Sequence, residues 1–370
     1  MTIHLWLNCL QQKLFPALES ELGPLSPKEI EFVRIVEFCQ LHTLMAPYQW
    51  KGNGRKPLPR LAMAKAFVAK MVWNLPTTED LLSFLQASPN LRRLCGWEGP
   101  KDIPDRATFS RAFEQFSTGQ LPQLAQSQLI KTHLGDRLIG HISIDATAIS
   151  ARESVEKQQL PNDAAQPKTN SKKRGRPCKD EVRPSAPEKR LDLQPSRSLE
   201  ENLNDLPAFC DKGCKRNSQG YKETWIGYKL HIASTDFDIP ICSLLSTASL
   251  HDSQAAIPLM QKCNTLIKNS LYDLCDAAYD APQIHEFSRS LGHVPLIDPN
   301  PRRSSNPRTL QPHEKSRFKE RSSVERVNSN LNLGMHFIQP PQHIVVKLVQ
   351  LRRKNAISGP WLSQVHTQIL

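Results

Sequence analysis

The sequence predicts an α/β protein: a mixed sheet flanked by helices, preceded by an all-α N-terminal region. Three observations carry that prediction. Apolar residues recur at helical spacing through roughly the first 120 residues. At Leu138 the period changes to two, in "LIGHISIDATAIS". From Tyr221 onward, strand-like and helix-like segments alternate, so the element order reads β, insertion, β, β, α, β, α, β, α.

The helical region comes first. "LPRLAMAKAFVAKMVWNL" (58–75) carries apolar residues at helical spacing. "PTTEDLLSFLQASP" opens with a threonine cap and acidic first-turn residues that complement the helix dipole. "IPDRATFSRAFEQFS" predicts another capped helix from near Asp105. Short helices with tight turns suit a DNA-binding helical domain or a plain bundle equally well.

In the strand after Leu138, Ile142, Ile144, Ala146 and Ala148 point one way, and Ser143, Asp145 and Thr147 point the other. Residues 153–205 break the pattern. Six prolines fall between 161 and 195 with few large apolar residues, so a disordered or extended insertion is expected. "YKETWIGYKLHIAST" (221–235) and "IPICSLLSTAS" (239–249) predict two strands joined by the turn "DFD". "HDSQAAIPLMQKC" starts a helix with Asp252 or Ser253 as cap. "SLYDLCDAAYD" predicts a strand ending in a turn, "APQIHEFSRSLG" a helix closed by Gly292, and "HVPLIDPN" a short strand. A basic polar loop (301–316) leads to a last helix.

Composition narrows the function. The 370 residues carry 48 Lys+Arg against 36 Asp+Glu, a formal net charge of +12, which favours a polyanionic partner, chiefly nucleic acid. From Lys168 to Arg190 nine basic residues face three acidic ones, so half of the excess sits in the insertion. No apolar run approaches the ~20 residues of a membrane span, and the N-terminal "MTIHLWLNCLQQKLF" lacks a basic n-region and a cleavage site. No membrane partner and a cytoplasmic, nucleoid-associated location are expected. The nine scattered cysteines do not form a disulfide framework, and the close pair Cys210 and Cys214 lacks two further zinc ligands.

Three acids occupy informative places. Asp145 lies on the polar face of a strand, Asp276 at the end of a strand, and Glu325 on the last helix. Taken singly, each is an ordinary surface carboxylate. Taken together in a basic chain, they suit a hard cation, since Mg²⁺ takes oxygen ligands and two such ions clamp both oxygens of a phosphodiester displacement. On a helical wheel Phe318, Arg321, Glu325 and Asn332 fall within roughly a 60° arc, and Val324, Val327 and Leu331 form a separate apolar seam. By itself Arg321 with Glu325 is an i,i+4 pair worth under ~0.5 kcal/mol.

"ISIDATAIS", "CDAAYDAPQI" and "FKERSSVERVNSNLN" resemble the three catalytic segments of the DDE transposases of bacterial insertion sequences. The closer likeness is to the group with a Tyr-x2-Arg-x3-Glu-x6-Lys motif. Arg321 and Glu325 match that motif, while Phe318 stands for its Tyr and Asn332 for its Lys. "TWIGYKLHIASTDFDIPICSLLSTASLHDSQAAIPL", with the His251-Asp252 pair, resembles the segment between the first two acids, and "IPDRATFSRAFEQF" the preceding helical domain. The resemblance implies a ribonuclease H-like catalytic fold, cleavage at transposon ends and strand transfer into target DNA. It implies two Mg²⁺ (or Mn²⁺) ions on Asp145, Asp276 and Glu325, with Arg321 on phosphate or orienting the carboxylate. Double-stranded DNA and a homodimer on DNA follow as partners. The domain reading is 1–130 helical and DNA-binding, 138–152 with 206–340 catalytic, 153–205 insertion, and 341–370 C-terminal tail.

Within the insertion "KRGRP" (173–177) resembles an AT-hook core, whose arginines enter an A·T-rich minor groove. Lys172, Lys173, Arg174 and Arg176 are the expected DNA contacts there, with Asn332 at the motif's lysine position. The alternative function is a catalytically impaired DNA-binding relative that acts as a regulator.

Overall fold

A computed structural model describes residues 13–54, 57–151, 154–155, 189–216, 219–300 and 309–332. The first half is helical: α1 (Phe15–Leu22), α2 (Pro27–Phe38), α3 (Leu41–Leu44), α4 (Arg60–Val72), α5 (Thr78–Ala87), α6 (Pro89–Cys95), α7 (Arg106–Thr118) and α8 (Leu121–Leu134). Local chemistry sets their starts. Ser26 with Glu29 and Thr77 with Asp80 form capping boxes for α2 and α5. Asp105 accepts from Thr108 N–H at 2.9 Å, as the sequence predicts for α7. The buried faces meet in one core that includes Phe32, Met63, Leu81, Leu91 and Phe109.

Helix α8 then leads into the sheet. Its Leu121 and Leu129 belong to the helical core, whereas Ile130 and Leu134 belong to the next one. Gln126, between them, donates from Nε2 to the carbonyls of Pro240 and Ile241.

The sheet has six strands: β1 (Ile139–Ser150), β2 (Asp211–Arg216), β3 (Lys222–Thr235), β4 (Pro240–Thr247), β5 (Ser270–Cys275) and β6 (Val294–Ile297). Its order is β2-β3-β1-β5-β6, with β4 also paired to β3. The β1–β3, β2–β3 and β3–β4 pairs are antiparallel, and β1–β5 and β5–β6 are parallel. The mixed sheet is therefore as the sequence predicts. β2 is an addition: "DKGCKR" has no alternating apolar pattern and pairs only with the first half of β3.

Helices cover both faces. On one lie α11 (Ser253–Leu266) and α12 (Pro282–Ser290), over a core holding Ile142, Ile144, Ala233, Ile257 and Ile284. On the other lies α14 (Ser322–Asn332), whose Val324 and Val327 are fully buried against Ile149, Tyr228, Leu230 and Ile232. The alternation read from β1 thus holds, but its polar face is roofed. Ser143 is fully buried, and Ser323 Oγ of α14 approaches its Oγ at 3.4 Å.

Two predicted irregular stretches are ordered. Within 153–205, expected to be disordered or extended, residues 190–205 form α9 (Arg190–Leu193), a 3₁₀ turn (Gln194–Ser196) and α10 (Leu199–Asp205). The reason lies in α11. Pro258 sits inside that helix and has no N–H for the carbonyl of Gln254. Fully buried Gln194 donates to that carbonyl from Nε2 at 2.6 Å, and Asn202 donates to Gln261 Oε1 at 2.9 Å. Polar side chains dock this segment where composition offered few apolar ones. Likewise the loop expected over 301–316 ends early, because α13 (Pro312–Phe318) starts with proline at its first position and a Gln311–Glu314 capping box. The AT-hook-like 172–177 segment, the tail 341–370 and the side chain of Asn332 lie outside the described residues.

Candidate active site

β1 and β5 run parallel with Ile144 opposite Cys275, so Asp145 and Asp276 are the next residues on adjacent strands. Asp145 is mid-strand. Asp276 is the first residue past β5 and caps the 3₁₀ turn Ala277–Tyr279, accepting from Ala278 N–H at 2.9 Å. The third element, α14, crosses above them. A 3₁₀ turn (Lys319–Arg321) separates it from α13, so 318–332 is not the single helix that the wheel assumed. In a 3₁₀ turn residues i and i+3 eclipse, which keeps Phe318 and Arg321 on one side.

The three acids meet at one guanidinium. Arg321 Nη2 donates to Asp145 Oδ1 at 3.1 Å and lies 3.7 Å from Asp276 Oδ2, while Nη1 donates to Glu325 Oε1 at 2.7 Å. Arg321 is therefore more than a helical i,i+4 pair: it links β1, β5 and α14. The carboxylates differ in depth, with side-chain exposures of 20% for Asp145, 40% for Asp276 and 58% for Glu325.

Burial raises the Asp145 pKa to about 6, against the opposing pull of Arg321. Burial also raises Asp276. For Arg321 burial acts against the charged form, but Asp145, Asp276 and Glu325 outweigh it and raise its pKa. The site is a partly desolvated anionic pocket around one cation.

Four further residues belong to this neighbourhood. Asn328 donates from Nδ2 to Asp145 Oδ2 at 2.8 Å. It was not singled out from the sequence. Asp252 and Lys229 form an ion pair at 2.9 Å, and the Asp252 charge acts on both Asp145 and Asp276. The Tyr279 hydroxyl is buried without a hydrogen-bond partner among the described residues, and its pKa is raised by burial and then by Asp252 and Asp145. No spacing in the sequence announces these contacts, because their partners are brought together only by the sheet.

Among the described residues no three His, Cys, Asp or Glu side chains close on an ion position by themselves. The donor set nonetheless fits a hard divalent cation. It is all oxygen, and its four carboxylates against Arg321 and Lys229 leave two negative charges uncompensated. Arg321 Nε and Asn328 Oδ1 are buried with no partner among the described residues, so a donor and an acceptor remain for an incoming group. Nearby His231 is fully buried and held neutral, with burial pushing its pKa down to about 4.

No described helix is long and apolar enough to cross a membrane. Residues 136–339 match the family described as "Transposase DDE domain", and residues 24–115 match "Transposase domain (DUF772)". The chain matches no curated protein and no solved structure.

Proposed function

Since the chain belongs to the DDE transposase family, through a match spanning more than half its length, we propose that it cuts DNA at the ends of an insertion sequence and joins them to target DNA. Transposition is the family's activity; the two chemical steps and the residues that perform them are the proposal. The observation that carries it is the convergence of Asp145, Asp276 and Glu325, from three separate elements, on Arg321.

In this reading Asp145, Asp276 and Glu325 hold two Mg²⁺ (or Mn²⁺) ions. Bound divalent ions lower the pKa of an attacking hydroxyl and offset charge on the phosphodiester. The chain's own residues do the rest. Asn328 fixes the rotamer of Asp145 through Oδ2, while Arg321 holds Oδ1. Arg321 keeps the carboxylates together before substrate arrives, and its unpartnered Nε is the donor for a phosphate oxygen. Burial of Asp145 excludes water, which strengthens each charge interaction there. Double-stranded DNA is held also by Lys172, Lys173, Arg174 and Arg176, and the protein acts as a homodimer on DNA, since two transposon ends are handled together.

Phe318 and Asn332 favour a second reading, because neither supplies the hydroxyl or the cation of the motif they occupy. There the protein binds DNA as a regulator without cutting it. Metal-dependent nicking of DNA carrying the element's ends decides between them. The expected result is cleavage by wild type with Mn²⁺ and a loss of at least a hundredfold for Asp145→Ala, in the range seen when a dominant electrostatic group is removed. Equal, negligible nicking by both proteins would leave the regulator.

A further inference from the structure

We propose that Arg317, held on the ring of Tyr272, binds a DNA backbone phosphate that flanks the reacting phosphodiester. The proposal rests on the transposase reading and adds a DNA-contacting cation that the three-acid motif does not include.

The strand register puts Tyr272 on the face that carries the acids. Along β5, Tyr272, Leu274 and Asp276 alternate to one side, and His141 and Ser143 of β1 lie opposite Tyr272 and Leu274. Asp145 follows Ser143 in the same alternation. Two contacts show what lies over this face. Ser323 of α14 meets Ser143, and the Arg317 guanidinium of α13 lies over the Tyr272 ring, 4.5 Å from its centroid. Arg317 comes four residues before Arg321, which holds Asp145 and Asp276. The ring is also flanked within the sheet: His141 stacks with it at 5.4 Å between centroids, and His141 Nδ1 lies 3.4 Å from Asp236 Oδ2. Toward β6 the row is open, since Val294, paired with Tyr272, is 48% exposed.

Arg321 is committed to the acids through both Nη atoms, and only its Nε is left without a partner. Arg317 is the opposite case. It is exposed, and among the described residues it makes no hydrogen bond or ion pair. A guanidinium stacked on a ring uses its face and keeps its in-plane N–H donors, the fork that meets a phosphate. The stack also confines a long side chain before the phosphate arrives, so less rotamer freedom is lost on binding. Tyr272 precedes Asp276 by four residues, about 13 Å of strand at ~3.3 Å per residue. Each strand of a duplex carries a phosphate about every 3.4 Å of axis. For a duplex lying along β5, the contact therefore falls about four nucleotides from the reacting phosphate.

The test is the salt dependence of binding by the full chain to a mixed-sequence DNA duplex, with Ca²⁺ present. Each phosphate contact contributes about 0.9 to the slope of log affinity against log salt. Arg317→Gln is expected to flatten the slope by about that amount, and Arg317→Lys to restore it. Tyr272→Leu keeps the charge and removes the platform, so it is expected to keep the slope and weaken binding about two- to fivefold, the worth of an exposed cation–π contact. Tyr272→Phe keeps the ring and is expected to bind as wild type. Arg289→Gln is the control: this exposed arginine lies on α12, over the other face of the sheet, and the slope is expected to stay as in wild type. An Arg317→Gln slope equal to wild type, a fall that Arg289→Gln reproduces, or wild-type affinity in Tyr272→Leu overturns the proposal. If Tyr272→Leu does not fold, the slopes of Arg317→Gln and Arg317→Lys decide. Absence of metal-dependent nicking by wild type would instead sink the transposase reading, and the slope would still decide the role of Arg317.

Discussion

Arg321 sets the behaviour of the site before any ion binds. Among the described residues its guanidinium is the one group that reaches all three proposed ligands, so Arg321→Ala leaves Asp145 largely buried beside Asp276 without that cation. Removing one partner of a buried pair costs about 3–5 kcal/mol, and the cost here is expected at the lower end, about 3 kcal/mol at neutral pH, because Glu325 is exposed. The cost is expected to shrink toward pH 5, where Asp145, with its pKa near about 6, becomes protonated. Added Mn²⁺ should restore much of the loss; melting curves at pH 5 and pH 8, with and without the ion, check both points. A second residue-scale prediction lies at the opposite end of β5. Buried His293 contacts Asp273 Oδ2 through Nδ1 at 3.0 Å and Ser270 Oγ through Nε2 at 2.7 Å. The Asp273 hydrogen bond raises the His293 pKa above its ordinary 6.5. Its stabilising contribution is therefore complete below pH 6.5 and is lost as pH rises through the raised value. The melting-temperature deficit of His293→Gln should be larger at pH 5.5 than at pH 8.5. At this scale the sequence was informative about the acids, whose order and strand positions are visible in the chain. It offered Asp252 as a helix cap and as part of the His251-Asp252 pair but not as the ion-pair partner of Lys229, because β3 and α11 are neighbours only in the fold.

At the scale of elements, β1 and β3 hold the site in register, and at Gly227 they approach too closely for a side chain. Its φ is +147°, and a Cβ there would lie 2.1 Å from the Ile149 carbonyl oxygen and 2.7 Å from Ala151 N. Backbone cannot withdraw as a side-chain tip would, so Gly227→Ala is expected to destabilise by about 3 kcal/mol, with strain added to the unfavourable φ. Denaturant titration measures it; a change under about 0.5 kcal/mol would contradict the geometry. Elements with strong local signals were legible: the period-two run of β1, the caps of α5 and α7, and Gly292 closing α12 with φ +83°. β2 was not, because an edge strand of charged and small residues has no apolar face to declare. The helices of 190–205 were not legible either. They are held by Gln194 and Asn202 on groups of α11, and one of those groups is free only because Pro258 interrupts the helix.

The whole molecule is joined by α8. Its successive residues Leu129 and Ile130 enter different cores, and Gln126 ties its midpoint to β4. A helix shared in this way couples the helical region to the sheet. One heat-unfolding transition is therefore expected for both, and Leu129→Ala and Ile130→Ala should each lower that same midpoint. Two separated transitions would show that α8 does not transmit stability between the cores. The mixed fold class was readable from element order alone, whereas this coupling was not, since helical periodicity says which face is apolar and not that two cores divide it.

Helix α14 contributes to neither large core; its Val324 and Val327 close only the small cluster on Ile149, Tyr228, Leu230 and Ile232. During synthesis the ribosome must therefore make nearly the whole described chain before the third acid exists. A product stopped short of α13 retains the residues of both large cores but has neither Arg321 nor Glu325. It also bares an aliphatic and aromatic patch on β1 and β3, a surface that proteases and chaperones recognise as unfinished. The segment that completes the proposed cutting site is thus also the one that conceals this patch.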